Sequence, residues 1–313
     1  MKALVTGGAG FIGSHLVDRL VEEGWKVRVV DNLSTGRLEN LAHHRDAVEL
    51  IVGDLKDPEV ALRAVEGVDV IFHFAANPEV RVSTTEPETH FRENVVATFN
   101  VLEAMRKRGV KELVFASSSS VYGEPEEIPV GEDAPIRPVS VYGASKAACE
   151  NLIHAYSKLY GIRAVVLRYA NVVGPRLRHG VIYDLLMKLK RDKTRLEVLG
   201  DGTQVRSYIY IDDAIRATIM AYEKAEGAFE VFNIASKDWI TVNDVVHTIL
   251  RVLRLDGVKI EYKPVLHGVG WPGDVKKIAL KIDKLKNLGY IPQAKSLEAV
   301  EKTIKELAKE IEI

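Results

Sequence analysis

A single cysteine, Cys149, stands among 313 residues, so neither an intramolecular disulfide nor a cysteine-cluster zinc site is available. That scarcity fits a reducing compartment, and a cytoplasmic location is expected. An excess of one charge is also missing. The 43 basic and 44 acidic residues leave a net charge of −1, which excludes a broad basic field and with it general nucleic-acid binding. Local arginines can still hold a small anion on a neutral protein. No uninterrupted apolar run approaches the roughly 18 residues that cross a bilayer, so no membrane partner is expected. Met1-Lys2 leads into Ala3-Leu4-Val5, a run too brief for the core of a secretory leader. The nine histidines and many acids show no tight ligand spacing, so no metal is expected. His43 and His44 sit in a polar segment and read as solvated, and His73 reads as a packed or hydrogen-bonded strand residue. Repeats, low-complexity tracts and linkers rich in Gly, Pro or Ser are absent too.

What is present is alternation. Short β-rich runs occur at Ala3–Thr6, Val27–Val30, Leu50–Val52, Val68–Phe74, Leu113–Ala116 and Ala164–Tyr169. Helical patterns lie between most of them, at Ile12–Glu23, Pro58–Glu66 and His90–Arg108. Near-continuous apolar strands separated by helices predict an α/β chain whose doubly wound parallel sheet is covered on both faces. Pro129, Pro135 and Pro138 punctuate a loop before a helix that starts near Ser140 or Val141. After Gly174 the pattern loosens, with helices expected at Ile182–Arg191 and Asp212–Lys224 and short strands at Glu197–Leu199 and Ile260–Tyr262. Residues 1–173 are expected to form the nucleotide-binding lobe, rejoined by a late strand near 229–235. Residues 174–313 would supply most of a smaller α/β lobe.

Thr6-Gly7-Gly8-Ala9-Gly10-Phe11-Ile12-Gly13-Ser14 follows the first strand and opens the first helix. Gly7 permits a tight turn, Gly10 lets a pyrophosphate approach the backbone, and Gly13 permits close packing of helix on sheet. The spacing G-x-x-G-x-x-G differs from the commoner G-x-G-x-x-G, so the glycines alone are weak evidence. Asp31 adds to them. It ends the second strand 18 residues after Gly13, where a carboxylate would accept both adenosine-ribose hydroxyls and repel a 2′-phosphate. The expected cofactor is therefore NAD rather than NADP, and Arg37 reads as a solvated loop residue.

Tyr142-Gly143-Ala144-Ser145-Lys146 places Tyr142 and Lys146 on one helix face. A phenol with a pKa near ~10 is a poor base at neutral pH unless its phenolate is stabilised, and a nearby ammonium does that. Upstream, the strand Leu113–Ala116 runs into Ser117-Ser118-Ser119-Ser120-Val121-Tyr122-Gly123. Hydroxyls at the carboxyl end of a parallel strand lie where ligands bind in this architecture. Dinucleotide loop, serine-bearing strand end and Tyr-x-x-x-Lys are together far more specific than any one of them.

These motifs, with Asp31-Asn32-Leu33, Gly53-Asp54 and His73-Phe74-Ala75-Ala76, resemble an extended short-chain dehydrogenase/reductase. More narrowly the chain is similar to the UDP-galactose (UDP-glucose) 4-epimerases and their nucleotide-sugar relatives. The likeness runs on through Arg168–Pro175, Arg206-Ser207-Tyr208-Ile209 and Pro272-Gly273-Asp274-Val275. It implies a Rossmann-like fold and bound NAD, with Ser118 as catalytic hydroxyl, Tyr142 as base and Lys146 as its activator. The cofactor would be held by Gly7, Gly10, Phe11, Ile12 and Gly13, then by Asp31, Asn32, Ser34, Thr35 and Gly36. Asp54 and Leu55 would meet the adenine, Phe74, Ala75, Ala76 and Ser117 would line the cofactor, and Asn94 and Tyr169 would approach the nicotinamide ribose. The UDP-sugar would touch Ser118 and Tyr142, with Val181 and Leu199 lining its site. Asn171 and Arg206 would hold the diphosphate, and Asp274 a uridine-ribose hydroxyl. A homodimer paired through the Asn94 and Tyr142 helices is implied as well.

Three positions depart from the family pattern. Pro78 stands near the usual cofactor-contacting lysine, Ser207 replaces the aspartate after Arg206, and Trp271 replaces the arginine before Pro-Gly-Asp. Ser119 and Ser120 stand where sugar-nucleotide dehydratases carry an Asp-Glu pair and decarboxylases a glutamate, so elimination is disfavoured. The implied reaction is reversible C4 inversion of UDP-galactose and UDP-glucose through a 4-keto sugar. UDP-N-acetylglucosamine and UDP-glucuronate 4-epimerases are the alternatives, and a non-catalytic NAD-binding regulator is the alternative from another class. Ile278, four residues after Asp274, matches the family position that limits acceptance of N-acetyl sugars.

Overall fold

Short runs of β-branched and apolar residues need partners for both their backbone groups and their two apolar faces, and one buried parallel sheet supplies them. The computed structural model describes residues 1–313. Its first half reads β1 (Lys2–Thr6), α1 (Phe11–Glu22), β2 (Lys26–Asp31), β3 (Val48–Val52), α2 (Pro58–Val65) and β4 (Val70–His73). It continues through α3 (Pro87–His90), a π-wound segment Phe91–Val96, α4 (Ala97–Arg108), β5 (Glu112–Ser118), α5 (Val141–Tyr160) and β6 (Arg163–Tyr169). Then come β7 (Asn171–Val173), α6 (Gly180–Arg191), β8 (Arg195–Leu199), β9 (Val205–Arg206), β10 (Tyr208–Tyr210), α7 (Ile211–Lys224) and β11 (Phe229–Ile234). The chain ends with β12 (Ile240–Thr241), α8 (Val242–Leu253), β13 (Lys259–Lys263), α9 (Asp283–Asn287) and α10 (Ser296–Glu310).

Seven strands form the central sheet in the order β11-β6-β5-β4-β1-β2-β3. Every pairing in it is parallel. The order reverses at β1, which has β2 on one side and β4 on the other, and this is the Rossmann-like doubly wound arrangement expected. In such sheets the ligand crevice opens where the strand order reverses, beyond the carboxyl ends of the strands. Strand β11 returns to the sheet edge, with Phe229 beside Ala164 and Ile234 beside Tyr169.

Alternation along the strands divides the core. Ala3, Val5, Val29, Phe72, Val114 and Leu167 face one layer, while Leu4, Val30, Ile71, Phe115 and Val166 face the other. The first layer continues without a break into Leu186, Val198, Tyr208, Ile249 and Leu307, so the later helices share one core with the sheet. Each of these buried side chains is worth about 1.5–3 kcal/mol relative to exposure, which binds the later segments to the sheet.

Local chemistry sets the ends of the helices that matter for the site. Ser140 caps α5 by accepting the Gly143 N–H at 3.1 Å, and Gly161 (φ 64°) ends it in the left-handed conformation. Asp57 caps α2 through the Glu59 N–H, with Pro58 at the first helical position. The single helix expected over His90–Arg108 is instead interrupted by π winding from Phe91 to Val96. No helix is long and apolar enough to cross a membrane, and no three His, Cys, Asp or Glu side chains cluster as metal ligands.

Candidate active site

One cleft of about 710 Å³ opens beyond the carboxyl ends of the central strands, and most of the residues singled out above line it. Gly7, at φ +65°, lies so close to the Phe74-Ala75 backbone that a Cβ there would sit 2.8 Å from the Ala75 nitrogen. A Cβ on Gly13 would sit 2.2 Å from the Gly7 carbonyl oxygen, so the glycine lets the first turn of α1 press against the loop. The N-cap of α1 is Gly10, which offers no side-chain cap, and Phe11, Ile12 and Gly13 line the cleft. The first-turn amides are therefore a ready anion site.

Asp31 accepts the Ala9 N–H at 2.9 Å and the Leu33 N–H at 2.8 Å, which fixes its carboxylate at the end of β2. Asn32, Ser34 and Thr35 stand beside it in the cleft, and Asp54 and Leu55 follow on the same side. Gly36 does not reach the cleft. Its role is steric, because a Cβ there would sit 2.8 Å from both Asp31 carboxylate oxygens. A tight glycine loop, bare helix amides and an acid at the next strand end suit a dinucleotide, and the chain fits NAD on these grounds.

The reactive groups stand in the same cleft. Phe74, Ala75, Ala76, Ser117, Ser118, Tyr142 and Lys146 all line it. Tyr142 is half-buried, and desolvation pushes its phenol up to about 12 while the Ser118 hydroxyl opposes the rise. Ser118 Oγ itself donates to Ser120 Oγ at 3.1 Å, so assisting Tyr142 requires that hydroxyl to turn. Lys146 is buried, and desolvation lowers its ammonium to about 8. Its Nζ donates to the Ala116 carbonyl at 2.7 Å and lies 6.0 Å from the centroid of the Tyr142 ring.

Of the expected cofactor residues, Gly36 and Asn94 stay outside the cleft, and Tyr169 commits its hydroxyl elsewhere. Asn94 lies behind its wall in the π-wound segment, with Oδ1 accepting the Asn77 N–H and Nδ2 donating to Ser145 Oγ. Tyr169 lines the cleft, but its hydroxyl is paired with Thr218 Oγ1 at 2.5 Å on α7. On the substrate side Val181, Leu199, Asn171, Arg206 and Asp274 all line the cleft. Arg206 and Asp274 hold each other: Nη2 donates to Asp274 Oδ1 at 2.8 Å and to the Val275 carbonyl, and Nη1 donates to the Val205 carbonyl at 2.8 Å. Trp271 lines the cleft with its indole N–H buried and unpaired, and Ile278 lines it while packing against Val121, Tyr122 and Leu280.

One cluster in the cleft gave no signal in the sequence. Arg81 grips Glu79 through Nε at 2.9 Å and Nη2 at 3.0 Å, and Nη2 also meets Asp184 of α6 at 3.0 Å. His73 bridges Thr6 and Thr98 at 2.7 and 3.0 Å, and burial, helped by repulsion from Lys146, holds its pKa near 3. It is a neutral structural histidine. Cys149 is buried with its thiol pushed up by desolvation, and it contacts the Asn94 carbonyl and Thr98.

Similarity to known proteins agrees with this geometry. Residues 3–235 match the NAD dependent epimerase/dehydratase family. The UDP-glucose 4-epimerase of Mycolicibacterium smegmatis is 36% identical over 313 residues, covering 97% of each chain. A solved UDP-galactose 4-epimerase is 50% identical with a TM-score of 0.90, over 99% of this chain and 100% of that one. A UDP-glucuronic acid 4-epimerase variant from Bacillus cereus, solved with a fluorinated UDP-glucuronic acid and NAD, is 30% identical with a TM-score of 0.89 over 99% of each chain. The chain belongs to the NAD-dependent epimerase/dehydratase family and is an isomerase that uses NAD.

Proposed function

We propose that the protein interconverts UDP-galactose and UDP-glucose by inverting C4 of the sugar through a 4-keto intermediate. The observation that carries this reading is the meeting of Ser118, Tyr142 and Lys146 in the same cleft as the glycine loop and Asp31. C4 of a hexose has no adjacent carbonyl, so its hydrogen is not removable as a proton, and inversion needs oxidation followed by reduction. NAD, when bound, supplies the acceptor and later the donor of that hydride. Tyr142 Oη takes the proton of the 4-hydroxyl as the C4–H bond breaks, and it returns that proton when C4 is reduced on its other face. A phenol near 12 is almost wholly protonated at neutral pH and cannot accept that proton, so the Lys146 ammonium must stabilise the phenolate.

Inversion also requires the sugar to turn while the nucleotide stays fixed. Residues of the lobe after Gly174, chiefly Arg206 and Asp274, would hold UDP, with Asn171 beside them. Arg206 is already committed to Asp274, so its free Nε and a shift of that pair would serve the diphosphate. Purified protein incubated separately with UDP-galactose, UDP-N-acetylgalactosamine and UDP-galacturonate, with C4 epimers resolved, tests the reading. Conversion of UDP-galactose supports it, and conversion of only one of the other two replaces it.

Asp31 is the proposed selector of NAD over NADP. Asp31→Ala should weaken NAD by roughly 10–100-fold, the scale of a lost hydrogen bond to a charged group, and relax discrimination against NADP. Binding titrations with both cofactors check this, and unchanged selectivity counts against Asp31.

A second copy of the chain is the proposed partner, in the cytoplasm. Phe99 on α4 and Leu159 and Tyr160 on α5 are exposed apolar side chains on adjacent helices. Light scattering should give twice the mass of the 34.8 kDa chain, and a monomer overturns the pairing.

A further inference from the structure

Three consecutive residues at the end of β5 meet three successive turns of α5. Ser118 faces the Tyr142 phenol, the Ala116 carbonyl accepts from Lys146 at 2.7 Å, and Ser117 Oγ donates to Glu150 Oε1 at 2.5 Å. Tyr142, Lys146 and Glu150 are spaced by four residues along one helix face. The first two have roles in the proposed chemistry, and the third has none so far.

Glu150 is as deeply buried as Lys146, and it is paired. Arg168, the residue before Tyr169 on β6, donates through Nε to Glu150 Oε1 at 3.1 Å and through Nη2 to Oε2 at 2.7 Å. The same guanidinium donates to the Tyr122 hydroxyl at 2.9 Å and the Glu132 carbonyl at 3.0 Å. Tyr122 in turn donates to Asn233 on β11 at 2.7 Å. One polar column thus joins β5, α5, β6 and β11 directly beneath the reactive wall.

The surroundings of Lys146 are otherwise uncharged. From α5 it is faced by Tyr142, Cys149 and Glu150, from β4 by His73, from α3 by His90, and from β5 by the Phe115 ring and the Ala116 carbonyl. Burial keeps the Cys149 thiol protonated and both histidines neutral. Cys149 and Glu150 both oppose the desolvation of Lys146, and of the two Glu150 is the one held in an ion pair, with Arg168.

We propose that Glu150 is a positioning residue of the Tyr142–Lys146 pair. Its carboxylate, clasped by Ser117 and Arg168, fixes the serine-bearing end of β5 against α5 and keeps an anion one helical turn from the Lys146 ammonium. A buried ion pair with neither function is replaceable at little cost by neutral groups of similar shape, whereas this one is tied to the proton-handling residues on both sides. The inference rests on the epimerase reading for its kinetic arm and stands without it in its spectroscopic arm.

Glu150→Gln keeps the shape and removes the charge. The ammonium of Lys146 should then be lost at lower pH, so the falling alkaline limb of the turnover profile moves to lower pH. kcat should fall at least about tenfold with KM for UDP-galactose unchanged, a split that general loosening of the fold does not give. Because an unpaired Arg168 can unfold the protein, the double variant Glu150→Gln/Arg168→Gln is measured beside it; with the cation removed as well, its limb should move in the same direction but less. In parallel, ultraviolet titration of the NAD-loaded protein, with Tyr142→Phe as the blank, reads the Tyr142 phenolate without any sugar. Its midpoint should rise in Glu150→Gln. A limb and a phenolate midpoint that both stay where the native protein has them overturn the assignment, whatever happens to stability. Failure of the native protein to epimerise any UDP-sugar overturns the functional reading instead and leaves the phenolate titration to decide on Glu150.

Discussion

Tyr142→Phe is expected to reduce turnover by about 10²–10⁴-fold while NAD and UDP-sugar still bind. The phenyl ring keeps its edge-on contact with His90, at 5.5 Å between centroids, so the cleft wall should survive the change. What disappears is the only group in the cleft wall with both the position and, once Lys146 assists, the basicity to take the 4-hydroxyl proton. Ser118 cannot replace it, since an alkoxide is far more basic than a phenolate. Ser118→Ala should cost less, because a water can occupy the hydroxyl's place between substrate and phenol. The informative measurement is kcat with UDP-galactose, set beside ligand titrations of the same variant. Near-native turnover excludes Tyr142 as the base, and lost binding with lost turnover would mean that the hydroxyl mainly serves to bind the ligand.

The features legible in the sequence are those whose chemistry is set by spacing within one element or across one tight turn. Gly7, Gly10 and Gly13 are visible because a loop that presses on the Ala75 backbone, and a helix that presses on that loop, have no room for a Cβ. Tyr142 and Lys146 are visible because the helix repeat puts them on one face. The β-rich runs predict the parallel sheet because strands buried on both faces carry little polarity. Features that depend on distant partners were hidden. Asn94 falls inside an expected helix, but π winding turns it toward Asn77 and Ser145 rather than toward the cleft. Tyr169 sits where expected, yet its hydroxyl belongs to Thr218, a residue on a helix that packs there only once the later chain has folded back. The grip of Arg81 on Asp184 joins two segments that share no motif. Glu150 carried a local signal, a third residue on the Tyr–Lys face, but its meaning depends on Ser117 and Arg168.

Lys146→Met should cost at least about 100-fold in turnover and yet make the unliganded protein more stable at neutral pH. Function and stability oppose each other at this position because a buried ammonium is costly. Its pKa falls from 10.5 to about 8 in the folded chain, a shift worth on the order of 3 kcal/mol against folding. Losing the hydrogen bond to the Ala116 carbonyl gives back about 1 kcal/mol, so a net gain on the order of 1–2 kcal/mol is expected. The sign with pH is specific. Below pH 8 both folded and unfolded chains carry the proton, so the full penalty is present. Between 8 and 10.5 the unfolded chain keeps the proton that the folded chain has released, and the native protein gains stability as pH rises. Methionine at 146 has no such dependence. The stability difference between variant and native protein should therefore be largest below pH 8 and shrink steadily toward pH 10.5. Denaturant titrations of the two proteins across that range, without NAD, measure it. A difference that stays constant with pH, or a variant less stable than the native protein at pH 7, would show that Lys146 is not held as a strained cation in readiness for the phenolate.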